Sequence, residues 1–133
     1  MSAADVEVIR EMLWRFNRRD YEGSTAMLHE DIEMRQWGAV PDTDTYVGKE
    51  DFIRGLTRWL SGFEPGFKYV PEELIDCGDS VLVRVTLRGK GRGSGIPLEQ
   101  EVFQLYEVRD GKAWRVSVFS TEEEARRAAG LDS

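Results

Sequence analysis

Apolar residues recur along this chain with two different periods, and the switch between them marks out its elements. Between Ala3 and Arg18, the residues Val6, Ile9, Leu13 and Phe16 are spaced by three and four, the period of a helix with one face turned to a core. Asp5 sits in its first turn, where a negative charge suits the helix dipole. Asp20 can cap a second, shorter helix through Tyr21, Met27 and Leu28; His29-Glu30-Asp31 then breaks the pattern before a strand from Ile32 to about Trp37. Residues Gly38 to Gly48 read as a loop. From Lys49 to Phe63 the helical period returns at full strength, with Phe52, Ile53, Leu56, Trp59, Leu60 and Phe63 on one stripe and Pro65-Gly66 as the stop.

Beyond Phe67 the period falls to two. Val81, Val83, Val85 and Leu87 alternate with Leu82, Arg84, Thr86 and Arg88. Pro71 has no N–H to donate to a ladder, so its strand belongs at a sheet edge or a bulge. Asp76 to Asp79 makes a turn, Gly89 to Gly95 a flexible hairpin connection, and Asp110-Gly111 a tight hairpin before the last strand, Ala113 to Phe119. The glycine-rich run stands between two strands with no helix N-terminus after it, which excludes a phosphate-binding loop. Thr121-Glu122-Glu123-Glu124 is a capping box opening a short final helix that Gly130 ends.

Four strand segments with apolar residues on both parities, against one long helix with a single apolar stripe, predict an uneven layering. One face of the sheet rests on helices over a cavity or groove; the other, still sticky, meets a partner. The fold class is α+β, in one domain over residues 1–133. A net charge of −7 argues against a nucleic-acid partner, since backbone phosphates need clustered cations. A lone cysteine, Cys77, allows no intrachain disulfide and suits a reducing cytoplasm; no metal-ligand spacing is seen, and neither secretion nor membrane insertion is expected.

Residue detail then narrows the class. The opening helix pair ending in Leu28-His29-Glu30-Asp31, Pro41-Asp42 and Tyr46-Val47-Gly48 ahead of the long helix, the turn from Glu73 to Val81, the Gly89 to Gly95 connection and Arg109-Asp110-Gly111-Lys112 resemble the SnoaL-like polyketide cyclase group of the nuclear transport factor 2-like superfamily. That resemblance covers nearly the whole chain. It implies a cone-shaped, curved antiparallel sheet wrapped over the helices (a cystatin-like α+β barrel), an apolar pocket between sheet and helices, and a homodimer formed through the outer face of the sheet.

What the resemblance implies about chemistry must be read residue by residue. Isomerases of this kind use a carboxylate base on the first strand; here the parity that buries Met34 carries Gln36, which is no base, while the opposite parity carries Glu33, Arg35 and Trp37. Epoxide-opening relatives need an arginine and a carboxylate two apart, but Arg84 is followed by Thr86 and Arg115 by Ser117. On the penultimate strand one parity holds Gln104 and Tyr106 and the other Glu99, Glu101 and Glu107; we favour the first as the inward set, because several charges in a cavity would each need a partner. On the last strand Arg115 either faces the cavity, as a cation for a carboxylate or enolate oxygen, or pairs with an exterior glutamate.

The catalytic candidates are therefore Arg35, Tyr106 and Arg115. Gln36, Gln104 and Tyr106 are the candidate polar ligand contacts, and Trp14, Trp37, Tyr46, Trp59, Phe63 and Phe119 the aromatic ones. His29 reads as an exposed turn residue, and Cys77 as incidental. Two functions fit: a cyclase- or isomerase-type enzyme using acid/base chemistry on a small hydrophobic or aromatic carbonyl compound, or a non-catalytic ligand-binding or assembly protein. Neither calls for a cofactor.

Overall fold

The computed structural model describes residues 2–37 and 45–131, apart from the side chains of Ser2, Gln36 and Trp37. In chain order the elements are α1 (Ser2–Asn17), α2 (Tyr21–Thr25), β1 (Leu28–Trp37), β2 (Thr45–Val47), α3 (Lys49–Leu60), β3 (Lys68–Asp76), β4 (Val81–Lys90), β5 (Pro97–Arg109), β6 (Lys112–Phe119) and α4 (Glu122–Ala128). The six strands form one curved sheet in the order β2-β1-β6-β5-β4-β3. All neighbours are antiparallel except β1 and β6, which run parallel.

Two local readings shift in the structure. β1 begins at Leu28 rather than Ile32, because Leu28 pairs with Ala113 and the ladder slips in register before Glu33. α3 ends at Leu60 rather than Phe63: the chain leaves the helix so that Phe63 can form an antiparallel bridge with Gly91, in the connection after β4. Of the loop expected over Gly38 to Gly48, residues 38–44 lie outside the described ones, Thr45–Val47 form β2 and Gly48 stands at the N-cap of α3.

Bulges bend the sheet. Pro71 lies both on the edge strand β3 and beside a register shift before Glu73, so Tyr69 and Leu74 reach the same face despite their odd separation. A second shift between Glu107 and Val108 does the same for Ala113 and Val116 of β6, and leaves Trp114 and Arg115 together on the other face. The Asp110-Gly111 hairpin takes φ 54° and 73°, the left-handed pair that a two-residue connection of twisted strands requires.

The concave face carries the core. α1 packs across β3 and reaches β4, β5 and β6, while α3 covers β1 and β2 at the other side. Ile9, Leu13 and Phe16 are buried against Val81, Val83 and Val85, each buried side chain contributing about 1.5–3 kcal/mol. The space between α1 and α3 stays open, and three anchors hold its rim. The Asn17 side-chain amide donates to Tyr69 O at 2.7 Å and accepts from Tyr69 N at 2.9 Å, tying the end of α1 to the edge of the sheet. The Tyr46 ring of β2 lies on Gly55 in the middle of α3. Beyond α3, Glu64 N donates to Lys90 O and Arg92 N to Gly62 O.

The outer face is less sticky than its sequence suggests. α4, capped by Thr121 with Glu124 as expected, lies over Leu82, Phe103 and Phe119. Much of what remains is laced with ion pairs: Arg84 with Glu73 and Glu101, Arg88 with Glu99, and Arg115 with Glu33 and Glu107.

Candidate functional site

Between sheet and helices opens a cavity of about 630 Å³, within the range of sites that enclose small organic ligands. Its walls are apolar. Met12, Leu13 and Phe16 enter from α1, Phe52 and Leu56 from α3, and the inward residues of β1, β4, β5 and β6, such as Ile32, Leu87, Val102 and Val116, complete the enclosure. One side is aromatic, with Phe16, Tyr69, Phe63 and Trp59 in the wall and the buried Phe67 joining them from behind. Phe16 meets Tyr69 edge to face at 5.1 Å between ring centres, Tyr69 meets Phe67 at 5.1 Å, Phe67 meets Phe63 at 4.7 Å, and Phe63 meets Trp59 at 5.0 Å.

Beside the polar edges of Tyr46, Trp59 and Tyr69, the polar side chains in these walls are few: Ser24 and Thr25 from α2, whose hydroxyls donate to backbone carbonyls, Arg58 from α3, and Gln100, Gln104 and Tyr106 from β5. Because β5 alternates strictly, Val102, Gln104 and Tyr106 all turn inward, and Gln104 and Tyr106 are both buried. The Tyr106 hydroxyl donates to Gln104 Oε1 at 2.7 Å. That bond orients the amide: its nitrogen, with no hydrogen-bond partner among the described residues, is left as a donor for whatever occupies the cavity. Burial pushes the Tyr106 phenol well above its ordinary value, reinforced by the neighbouring Tyr69. Tyr69 is raised by the same desolvation, partly offset by a hydrogen bond from the Trp59 side chain. Both remain neutral hydroxyls at physiological pH. Among the described lining residues there is no Asp, Glu or His.

The structure sorts the sequence candidates cleanly. Tyr46, Trp59, Phe63, Gln104 and Tyr106 line the cavity. Arg35 and Arg115 do not: they lie on the outer face, where Arg35 pairs with Glu33 and Arg115 is held by Glu33 and Glu107 and stacked on Trp114. Of the two placements open for Arg115, the structure shows the outer one, paired with glutamates: Arg115 lies on the parity opposite Val116 and Val118, and the β6 bulge turns Trp114 out beside it. Phe119 is also removed from the cavity, since it packs beneath α4 with Leu82 and Phe103. Trp14 stands on the exposed side of α1, 53% exposed, with the Arg18 guanidinium over its ring. The side chains of Gln36 and Trp37 lie outside the described residues.

His29 is less exposed than expected, because β1 begins earlier. Its Nδ1 accepts from Asp31 N and its Nε2 faces Asp110 at 3.5 Å, away from the cavity. Burial pushes the Cys77 thiol up, the opposite of what a reactive thiolate needs.

Over residues 9–116 the sequence matches the SnoaL-like domain family. The chain belongs to that family. The SnoaL-like domain has the same fold as several solved structures. TerC co-crystallised with polyporic acid is 22% identical, with 96% of this chain and 98% of that one covered and a TM-score of 0.74. A Catenulispora acidiphila protein with a ketosteroid isomerase-like fold, in complex with trimethylamine, is 14% identical, with 94% and 93% covered and a TM-score of 0.72. A Xanthomonas campestris pv. campestris protein provisionally named a polyketide cyclase is 19% identical, with 92% and 94% covered and a TM-score of 0.71. At these identities the likeness is one of fold. No curated protein matches the sequence at a significant level. Among the described residues, no helix of this SnoaL-like domain is long and apolar enough to cross a membrane.

Sequence reasoning missed Phe16 and Tyr69 as cavity residues. Phe16 was absorbed into a generic core stripe. Tyr69 was obscured by Pro71, which marks its strand as an edge; the available signal was its register opposite Leu87, an inward position of the clean β4 alternation.

Proposed function

We propose that this SnoaL-like domain is a small-molecule pocket protein whose ligand is a largely apolar, cyclic compound bearing a carbonyl or similar acceptor oxygen. The observation that carries this reading is the Tyr106–Gln104 hydrogen bond inside a largely apolar cavity. A buried amide donor with no partner among the described residues loses a hydrogen bond unless the ligand supplies an acceptor, so it selects oxygen-bearing rings over plain hydrocarbons. The aromatic run from Phe16 to Trp59 provides flat surface for such rings. TerC, of the same fold, was crystallised with polyporic acid, which supports a small-molecule ligand.

Cyclase- or isomerase-type catalysis is the second reading, favoured by the family and by the same donor, since an N–H aimed at a carbonyl oxygen also stabilises an enolate. Gln104 would polarise the carbonyl, and Tyr106 would hold the amide in place. Removal of the α-proton needs a base, and the described lining residues include no carboxylate or imidazole. Ligand binding is therefore the function the geometry supports best.

Two measurements separate these readings. Calorimetric titration with aryl ketones and with hydrocarbons of matched shape should show preference for the ketones, reduced roughly tenfold by Gln104→Leu through loss of about one hydrogen bond. Equal affinity for both sets would sink the binding reading. Exchange of α-protons of a bound ketone in D₂O, followed by NMR, reads catalysis directly; a rate no faster than in buffer removes the enzymatic reading. The homodimer implied by the family resemblance would use the part of the outer face left open by α4, around Trp114 between the Arg109 and Arg115 guanidinium groups. Sedimentation equilibrium tests it.

A further inference from the structure

The cavity's interior is neutral, but its mouth is not. Of the described residues lining it, Arg58 alone is charged. It stands in the last turn of α3 and is exposed. Its guanidinium makes no ion pair or hydrogen bond with any described residue. Arg54, one turn earlier on α3, is by contrast held by Glu50 and Asp51.

A second cation is fixed at the same end of α3. Arg92 donates its backbone N–H to Gly62 O and its Nε to Ser61 O, which places it against a residue of the cavity rim. In a chain of net charge −7 this is a local reversal of sign, with no carboxylate among the described lining residues to neutralise it. A guanidinium presents a planar fork that matches a carboxylate, and apolar walls beside it strengthen the attraction relative to open water.

We propose that the ligand is an amphipathic anion: a ring-bearing apolar body in the cavity, and a carboxylate held by Arg58 at the mouth. This rests on the pocket reading above and adds to it the charge and the orientation of the ligand. Gln104 meets the neutral acceptor oxygen inside; Arg58 meets the anion. The affinity then depends on salt, as an exposed pair does, whereas the contribution of the apolar body does not.

The test uses the full chain with 4-benzoylbenzoate and its methyl ester, two diaryl ketones that differ at one end by a charge. Titration calorimetry at low salt should show the carboxylate binding about fivefold more tightly than the ester, the scale of an exposed ion pair. Added salt should erase the difference. Arg58→Gln, at an exposed position where folding is not at stake, should bring the carboxylate to the ester's affinity and leave the ester unchanged. Equal affinities in the wild type, or a preference that survives Arg58→Gln, overturn the anionic proposal while ester binding sensitive to Gln104→Leu leaves the pocket reading standing. Failure of the wild type to bind either compound overturns both.

Discussion

The ring of Tyr46 rests directly on the backbone of Gly55. A Cβ built at Gly55 would stand 2.5 Å from the nearest ring carbon, closer than real side chains approach. A glycine in the middle of a helix is otherwise unfavourable, so here the missing side chain is what lets the short edge strand β2 close onto α3 at the cavity wall.

Gly55→Ala sets two terms against each other. The helix gains about 1 kcal/mol in propensity, while overpacking against Tyr46 costs about 1–3 kcal/mol. We expect net destabilisation in urea unfolding. In a Tyr46→Ala background the obstacle is gone, and the same substitution should become stabilising by about 1 kcal/mol. An unchanged sign in the two backgrounds would show that the contact does not govern the position.

Asn17 acts as a substitute strand. Its amide makes the two hydrogen bonds to Tyr69 that a further strand would have made at the edge of the sheet. Asn17→Ala should cost about 1–3 kcal/mol, and Asn17→Asp should also destabilise at neutral pH, because a carboxylate oxygen then faces the Tyr69 carbonyl oxygen that the amide nitrogen had bonded. Amide exchange at Tyr69 should accelerate in Asn17→Ala, which removes the acceptor of its N–H. Protection at Tyr69 identical to the wild type would contradict this role.

Tyr106 and Gln104 should behave as a coupled pair. Tyr106→Phe leaves Gln104 Oε1 without its donor, and Gln104→Leu leaves the phenol without its acceptor, each costing about 1–3 kcal/mol. The double variant should lose less than the sum of the two, with a coupling of about 0.5–3 kcal/mol in a double-mutant cycle. Strict additivity would mean that the bond is not formed in solution.

The two buried phenols also set an alkaline limit. Both Tyr69 and Tyr106 are held above their ordinary value, chiefly by desolvation, so the folded chain keeps protons that the unfolded chain releases. Their contribution is intact below about pH 10, where unfolded tyrosine begins to ionise, and is lost as pH rises from there toward the folded values. Stability measured by urea titration should fall with pH above that point, and the fall should be shallower in Tyr106→Phe. A slope unaffected by the substitution would place the phenol in contact with water.

Much of the architecture was legible from neighbouring residues alone. Three- and four-residue spacing located α1 and α3, strict alternation assigned Gln104 and Tyr106 to the face of Val102, and Asp110-Gly111 and the Thr121 capping box marked a turn and a helix start. These signals are local because helix and strand periods are written into consecutive side chains. The tertiary structure decided the rest. The bulge in β3 lets Tyr69 and Leu74 share the inner face, the bulge in β6 turns Trp114 outward beside Arg115, α4 takes Phe119 away from the cavity, and Asn17, Gly55 and Arg58 meet partners or spaces remote in sequence. Parity fails at a bulge because the extra residue is set by pairing between distant strands, and a cavity belongs to no segment, so no local pattern records either.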